Sequence, residues 1–228
     1  IAFMDGIVMG GGMGISQGAS LRIVTARTKI AMPETNIGLF PHVGGGYFLP
    51  KCPGYCGEYL GLTGKVLNGS EALAADLADR AINSDNLQDY WDSLTNNEMM
   101  SVDQRISRLH SVIDDSRLPE DDNWLNPEID EIFSFDTPSE ILRELEKSSS
   151  PWAKETSKLL HKRSPLMLHV SLRQIKLGRN MSLADELRLE RTLVQHCFYT
   201  NHLQRVGAQT ETVEGIRALA IDKDHSPT

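Results

Sequence analysis

The chain contains the stretch Met32-Pro33-Glu34-Thr35-Asn36-Ile37-Gly38-Leu39-Phe40-Pro41-His42-Val43-Gly44-Gly45-Gly46. This stretch places one carboxylate, Glu34, on a turn made rigid by Pro33, a few residues before a glycine-rich segment. A second glycine run, Met9-Gly10-Gly11-Gly12-Met13-Gly14, closes the apolar segment 1–8. An acid beside exposed backbone N–H groups suits acyl chemistry, because the acid serves as base or nucleophile and the N–H groups stabilise a developing oxyanion.

The composition is that of a globular protein, with 228 residues of which 40% are hydrophobic and 24% charged. The net charge of −8 argues against a nucleic-acid partner, which would require a basic face. Charged residues interrupt every apolar run before the roughly 18 residues of a membrane helix, so we expect no membrane partner.

The three cysteines, Cys52, Cys56 and Cys197, are expected to be free thiols in a reducing compartment. Cys52 and Cys56 are spaced by about one helical turn and suggest a metal pair, but no nearby His or second Cys pair completes a site. We therefore expect two half-buried small residues there and no metal site.

The first part of the chain is predicted to mix strands and helices. Branched residues predict short buried strands at 1–8, 21–25 and 29–32, and the small residues 11–19 predict a short helix. Residues 44–64 are predicted to be helical, with a break at Pro53-Gly54.

The rest of the chain is predicted to be almost entirely helical. Helix starts are indicated at Thr137, Ser164 and Ser182 by capping residues, two of them followed by proline. One helix should bury Leu168, Leu172 and Ile175, and the next carries Leu187, Val194 and Phe198 at helical spacing. The acidic stretch 114–127 is predicted to be a surface loop.

Two other enzyme classes fit the glycine run poorly. A strand, glycines and a helix suggest a dinucleotide site with Glu34 about 20 residues on, but Ile15 or Gln17 takes the last glycine position of the motif. Ser16 does not lie in the elbow motif of serine hydrolases. Neither a nicotinamide site nor a serine triad is supported.

The candidate residues each have a simpler interpretation. Glu34 alone would be a solvated turn acid, but apolar residues surround it and nearby glycines let the chain fold back. His42, eight residues on, is either a surface turn residue or a second acid–base group that titrates near neutrality. The run Gly10 to Gly14 is a tight turn, a helix N-terminus with N–H groups facing a cleft, or both.

Several of these segments resemble the enoyl-CoA hydratase/isomerase (crotonase) superfamily. The stretch 32–49 is similar to its 3-hydroxyisobutyryl-CoA hydrolase branch in particular. The resemblance covers most of the chain, is most specific in the first 65 residues, and is carried by residues 4–16, 32–49, 57–64, 162–165, 214–219 and 222–224.

The resemblance implies an α/β fold, a crotonase-like ββα spiral followed by a helical C-terminal region. Residues 1–80 would form the C-terminal part of the spiral core. Residues 81–228 would form a helical region that covers the site and contributes to homo-oligomer contacts. Because the chain begins with Ile1 in the middle of a predicted strand, we expect an N-terminal truncation. The missing part would hold the G-G-D-type loop that supplies the other oxyanion N–H.

The resemblance also assigns roles to residues. Gly11 would donate an oxyanion-hole N–H to the thioester carbonyl, and Glu34 would act as nucleophile through an anhydride or as general base for water. Hydratases carry a second acid where this chain has Gly14, which favours hydrolysis over hydration. The hydrolase branch normally has Asp at the position of His42. The expected substrate-binding residues are Gly10, Gly12, Pro33, Gly38 and Phe40.

The expected function is hydrolysis of a short 3-hydroxyacyl-CoA, 3-hydroxyisobutyryl-CoA, to the free acid and CoA in valine breakdown. No cofactor is implied, since CoA is part of the acyl-CoA substrate. The alternatives are an enoyl-CoA hydratase/isomerase and a non-catalytic, hydrolase-like structural protein. The expected location is the cytoplasm in a bacterium or the mitochondrial matrix in a eukaryote.

Overall fold

The structure is a computed structural model of the chain, and it describes residues 1–95, 100–113, 118, 124–202 and 204–224. Its strands are β1 Ala2–Met4, β2 Ile7–Met9, β3 Arg22–Val24, β4 Lys29–Ala31, β5 Arg80–Ala81, β6 Asn201–His202 and β7 Arg205–Val206. Its α-helices are α1 Gly11–Gln17, α2 Gly45–Phe48, α3 Cys56–Thr63, α4 Gly69–Ala74, α5 Leu87–Thr95, α6 Val102–Val112, α7 Pro127–Phe133, α8 Pro138–Lys147, α9 Pro151–Leu160, α10 Pro165–Gly178, α11 Leu183–Cys197 and α12 Glu211–Ile216. Shorter helical turns are Glu34–Ile37, Leu49–Lys51, Ser84–Asn86, Gly207–Gln209 and Arg217–Ile221.

The described residues form two compact units. The first unit combines residues 1–30 and 66–124, and the second combines residues 31–65 and 125–228. Each unit therefore joins an early and a later part of the chain. The expected division into residues 1–80 and 81–228 is instead a division along the sequence, placed where its composition changes. The roles expected of residues 81–228, covering the site and making oligomer contacts, stay predictions.

The first unit is built on a parallel sheet with the strand order β1-β3-β5. Ala2 pairs with Arg22, and Val24 pairs with Ala81. Its core contains the buried side chains of Leu21, Ile23, Ile82 and Leu109. The branched residues that predicted strands thus supply the sheet's buried face.

The prediction of a single strand over residues 1–8 was wrong, because Asp5 and Gly6 interrupt it and leave two short strands, β1 and β2. Gly6 has a φ of 110°. The Asp5 carboxylate accepts hydrogen bonds from the Thr25 hydroxyl at 2.6 Å and the Ser84 hydroxyl at 3.1 Å, and it pairs with the Arg27 guanidinium. The Arg27 hydrogen bond, with those from the two hydroxyls, outweighs desolvation and lowers the pKa of Asp5 to about 2. These side-chain bonds fix the bend that separates β1 from β2, and β2 instead pairs with β4.

The second unit is mainly helical, and its helix starts follow the predicted caps. Thr137 forms a reciprocal capping box with Glu140 at the start of α8. Ser164 and Ser182 each accept a backbone N–H in the first turn of α10 and α11. The predicted face of α10 is confirmed, since Leu168, Leu172 and Ile175 are all buried.

The buried face of α11 differs from the one its apolar residues suggest. Leu187 is 45% exposed and Phe198 is 53% exposed, whereas the acids Glu186 and Glu190 are buried. Polar partners on neighbouring segments, described below, hold these acids inside the unit. Val194 packs against the cluster of Phe40 and Cys197, so the buried face of this helix combines apolar residues with these two acids.

The loop predicted over residues 114–127 lies outside the described residues, except for Leu118 and residues 124–127. Cys52, Cys56 and Cys197 are free, and all three are buried rather than half-buried as expected for the first two. Among the described residues, no group of three or more His, Cys, Asp or Glu is arranged to hold a metal ion. None of the described helices has the length and apolar character that crossing a membrane requires.

Candidate active site

Glu34 opens a short helical turn at the start of the second unit. The Asn36 N–H donates to the carbonyl of Pro33 at 2.9 Å, and the Leu39 N–H donates to the carbonyl of Glu34 at 3.1 Å. The Thr35 hydroxyl anchors this turn to α3 by donating to the carbonyl of Leu62. Proline at the entry and hydrogen bonds at both ends therefore hold the Glu34 backbone in one conformation.

The Glu34 carboxyl is buried rather than solvated. The residue is 4% exposed, and its Oε2 atom has no hydrogen-bond partner among the described residues. A buried carboxylate oxygen without a donor is unusual, because desolvation without a compensating hydrogen bond is costly. The Oε2 atom thus keeps its capacity to accept a hydrogen bond.

His42 lies beside this carboxyl. Its Nδ1 atom is 3.4 Å from Oε1 of Glu34, and its side chain is 32% exposed. The Glu34 carboxyl beside it raises the pKa of His42 against the lowering effect of burial, and Glu190 adds to the rise, although Nδ1 makes no hydrogen bond of good geometry to a described residue. The geometry therefore brings together a carboxyl group and an imidazole whose pKa lies above its ordinary value.

The backbone after His42 is held by an acid that the sequence analysis did not identify. The Val43 and Gly44 N–H groups donate to the two carboxylate oxygens of Glu190, each at 2.7 Å. Val43 has a φ of 53°, which costs a branched residue about 1–3 kcal/mol. A sequence signal existed, because Glu186 and Glu190 continue the stripe of Leu193, Val194 and Cys197 at helical spacing.

The glycines at 44–46 allow three segments to approach closely. A Cβ atom at Gly46 would lie 2.5 Å from Oε1 of Glu186 and 2.7 Å from Nε2 of Gln174. Glu186 is fully buried and accepts a 3.0 Å hydrogen bond from Gln174. Burial raises the pKa of Glu186 despite that bond. This part of the motif thus serves packing on α10 and α11.

The other predicted substrate-binding residues of this unit have structural surroundings. Phe40 is fully buried and packs with Met167 and Cys197, and its ring meets the His42 ring edge-on at 6.5 Å between centroids. Gly38 has a φ of 63°, and a Cβ there would lie 2.4 Å from the Glu211 carbonyl oxygen. Pro33 caps the Glu34 turn. Their predicted contacts with substrate stay predictions.

The predicted glycines Gly10, Gly11 and Gly12 belong to the first unit, at the start of α1. Gly10 has a φ of 51° and makes no side-chain cap for the helix. Gly11 and Gly12 are exposed, and a Cβ at Gly11 would have nothing within 4 Å. The first N–H groups of a helix have no partner within the helix, so this turn presents free donors. The oxyanion role of Gly11 stays a prediction.

Comparisons with known proteins agree with the motifs. The enoyl-CoA hydratase/isomerase family profile matches residues 1–228. The chain is 37% identical over its whole length to "3-hydroxyisobutyryl-CoA hydrolase, mitochondrial" of Gallus gallus and 36% identical to that of Homo sapiens, covering 58% of each. It is also 36% identical to "Small ribosomal subunit protein mS47" of Neurospora crassa, in a match that covers 98% of this chain and 46% of that protein. The chain thus spans about half the length of the curated relatives it matches.

Solved structures support the same fold. An enoyl-CoA hydratase from Rhodobacter sphaeroides is 34% identical with a TM-score of 0.82, over 99% of this chain and 61% of that one. A carnitinyl-CoA dehydratase from Mycobacterium thermoresistibile is 30% identical with a TM-score of 0.80, over 98% and 62%. The expected mixed α/β crotonase fold with a helical C-terminal region is confirmed. The chain belongs to the enoyl-CoA hydratase/isomerase (crotonase) superfamily, and it is 36–37% identical over its whole length to 3-hydroxyisobutyryl-CoA hydrolases.

Proposed function

We propose that the protein hydrolyses a short 3-hydroxyacyl-CoA thioester, with 3-hydroxyisobutyryl-CoA as the expected substrate, as one step of valine breakdown. The observation that carries this proposal is the buried Glu34 carboxyl, whose Oε2 atom has no partner among the described residues. Gly14 supports hydrolysis over hydration, since it leaves the glycine run without a second acid. The names of the curated relatives support the substrate class.

The reaction has two routes that use the same residues. In the first, a Glu34 oxygen attacks the thioester carbonyl, the C–S bond breaks, and CoA leaves as the thiolate; water then hydrolyses the anhydride. In the second, Glu34 takes a proton from a water molecule that attacks the carbonyl directly; the C–S bond then breaks, and CoA leaves and takes up a proton. In both routes His42 stands next to Glu34, where its ring can hydrogen-bond to the substrate hydroxyl or to the water.

Turnover in ¹⁸O-labelled water identifies the anhydride route if label enters Glu34. Repeated turnover through an anhydride transfers ¹⁸O into the Glu34 carboxyl when water attacks the anhydride at the Glu34 carbonyl carbon. Peptide mass spectrometry after turnover reads that label directly. General-base catalysis leaves the Glu34 peptide unlabelled and puts ¹⁸O only into the product acid.

The proposal is tested by CoA release from 3-hydroxyisobutyryl-CoA, followed with a thiol reagent. Glu34→Gln should lower kcat by about 10²–10⁴-fold, because the amide is neither nucleophile nor base. Glu71→Gln is the matched control. Glu71 is also buried, at 5% exposure, but it sits in a capping box with Asn68 that glutamine preserves. Equal activity of Glu34→Gln and the unmodified protein would exclude the proposed role of Glu34.

One alternative is an enoyl-CoA hydratase or isomerase, which the names of two similar solved structures support. Adding water to crotonyl-CoA uses two acids in hydratases, and this chain has Gly14 at the second position. Product analysis with crotonyl-CoA decides between them. Hydration without CoA release supports the alternative, and CoA release from the 3-hydroxy thioester supports hydrolysis.

A second alternative is a structural role without catalysis, since a similar relative is named as a ribosomal subunit protein. His42, where hydrolases of this branch have aspartate, favours it, whereas the buried Glu34 and the net charge of −8 count against it. We expect CoA release both from the unmodified protein and from His42→Asp. Inactivity of both, together with a binding partner that does not depend on Glu34, would favour the structural role.

The proposed reaction needs no metal or redox cofactor, since water is the co-substrate and CoA arrives with the acyl group. The acyl-CoA is the proposed partner, and homo-oligomer contacts through the helical region remain a proposal. The curated relatives are named mitochondrial, which supports the matrix as the location if the source is a eukaryote.

A further inference from the structure

The Glu190 carboxylate binds the backbone directly after His42. Glu190 lies on α11 and is 8% exposed, and its two oxygens accept the N–H groups of Val43 and Gly44 at 2.7 Å each. The two partners are 146 and 147 positions away in the sequence. A carboxylate that accepts two backbone N–H groups makes short, charge-assisted hydrogen bonds, which are stronger than neutral ones.

The two N–H groups converge only because of an unusual backbone conformation. Val43 has a φ of 53° and Gly44 a φ of 86°, and in this left-handed turn both N–H groups reach the same carboxylate. Gly44 adopts this conformation readily, but Val43 is β-branched and avoids it. The conformation at Val43 therefore requires an external partner, and Glu190 supplies that partner.

This turn sets the direction of the His42 side chain. His42 immediately precedes Val43, and its carbonyl accepts the Gly45 N–H at 3.1 Å. The Phe40 ring meets the imidazole edge-on. Because the backbone on both sides of His42 is held, a change at Val43 would rotate the imidazole away from Oε1 of Glu34, now 3.4 Å from Nδ1.

We propose that Glu190 is a positioning residue, whose carboxylate holds the Val43–Gly44 backbone so that His42 faces Glu34. Its consequence for catalysis rests on the proposed hydrolase function, but the positioning itself does not. A purely structural role, in which Glu190 only ties α11 to the Val43–Gly44 backbone, predicts a loss of stability without a change in how Glu34 and His42 interact.

The decisive experiment measures the coupling between Glu34 and His42 by NMR titration of the His42 ring. The Glu34 carboxylate raises the pKa of His42, so Glu34→Gln should lower that pKa. The same substitution is then made in a Glu190→Gln protein, where the amide accepts only one N–H and presents its own N–H to the other. We expect the fall caused by Glu34→Gln to shrink to less than about half. Glu190→Gln also removes the direct effect of the Glu190 charge on the His42 pKa. That change is the same with and without Glu34→Gln, so it cancels when the two pKa values in the Glu190→Gln background are subtracted.

Asp185→Asn provides the matched control. It removes one negative charge from the same helix at an exposed side chain that is paired only locally, with Ser182 and Arg188. The fall in the His42 pKa on Glu34→Gln should be unchanged in this background. An equal fall in the unmodified and Glu190→Gln proteins would overturn the positioning role.

Activity gives an independent readout. If the protein hydrolyses the thioester, Glu190→Gln should lower kcat by about 10–100-fold with little change in KM, since a displacement near 1 Å is enough for such a loss. The same substitution should cost less than about threefold in a His42→Ala protein, where no ring remains to be positioned. A full loss in that background contradicts the proposal. If no thioester is hydrolysed, the titrations still decide the positioning role, so the two failures are distinguishable.

Discussion

The Nδ1 atom of His42 lies 3.4 Å from Oε1 of Glu34, which pairs a half-exposed ring with a buried carboxyl. The carboxyl raises the pKa of the ring, so the imidazolium and the carboxylate stabilise each other in the folded chain. In the unfolded chain this partner is lost. The pair therefore links the chemistry of the candidate site to the stability of the fold.

The pair predicts how stability changes above neutral pH. Because the folded pKa of His42 lies above its ordinary value of 6.5, its contribution is fully present below pH 6.5 and is lost as pH rises through the folded pKa. The free energy of unfolding, from urea titrations between pH 6 and 9, should exceed that of His42→Gln most at the acidic end of this range.

His161→Gln is the control for this measurement. His161 pairs with Glu146 at the surface, where both side chains are more than half exposed. Exposed pairs contribute little to stability, so this variant should follow the unmodified protein at every pH. A gap between the unmodified protein and His42→Gln that widens with pH would contradict the assigned interaction.

The oxyanion role proposed for Gly11 predicts a contrast between two substitutions at the same position. Gly11 is the first residue of α1, where proline is tolerated because the first N–H has no helical partner. Gly11→Pro removes this N–H and should lower kcat by about 10²–10³-fold. Gly11→Ala keeps the N–H and meets nothing within 4 Å, so its activity should remain close to that of the unmodified protein. Similar kcat values for the two variants, measured by CoA release, would argue against the role.

Gly38 predicts a loss of stability caused by a steric clash. Gly38→Ala places a Cβ atom 2.4 Å from the Glu211 carbonyl oxygen at a φ of 63°. Gly207 has a similar φ of 59°, but a Cβ there meets nothing within 4 Å. Gly207→Ala should cost about 1 kcal/mol of backbone strain, and Gly38→Ala should cost at least about 2 kcal/mol more. Denaturant unfolding of both variants measures the difference, and equal losses would show that the backbone relaxes without a clash.

The ion pair of Glu58 and Arg179 predicts a second large loss. Glu58 is fully buried on α3, and the Arg179 guanidinium donates to both of its oxygens at 2.7 and 2.8 Å. Arg179→Ala leaves the buried carboxyl without its charged partner and should lower the free energy of unfolding by about 3 kcal/mol.

Two further variants separate this effect from loss of a surface arginine. Glu58→Gln in the Arg179→Ala protein should recover part of the stability, because it removes the buried charge. Arg188→Ala removes an arginine from an exposed pair with Asp185 and should leave the unfolding midpoint unchanged. No recovery in the double variant would show that Arg179 acts through packing on Tyr55 instead.

Interactions between residues close in the sequence were predictable. The Thr137 capping box and the caps at Ser164 and Ser182 involve groups three positions apart, so the residue types alone specify them. The helical break at Pro53-Gly54 has the same local origin. By contrast, the bend at Asp5 involves a hydrogen bond from Ser84, 79 positions away, which no local sequence pattern predicts.

The candidate site shows the same division. The turn at Glu34 and the glycine-rich segment after it could be predicted from one short stretch of sequence. Proline restricts the backbone and glycine frees it wherever they occur. The burial of Glu34 depends on how its turn packs against α3, α10 and α12, and the binding of Val43 by Glu190 depends on where α11 lies. Packing brings together residues more than a hundred positions apart. The sequence therefore identified Glu34 as the candidate acid, whereas only the tertiary structure decided which groups surround it.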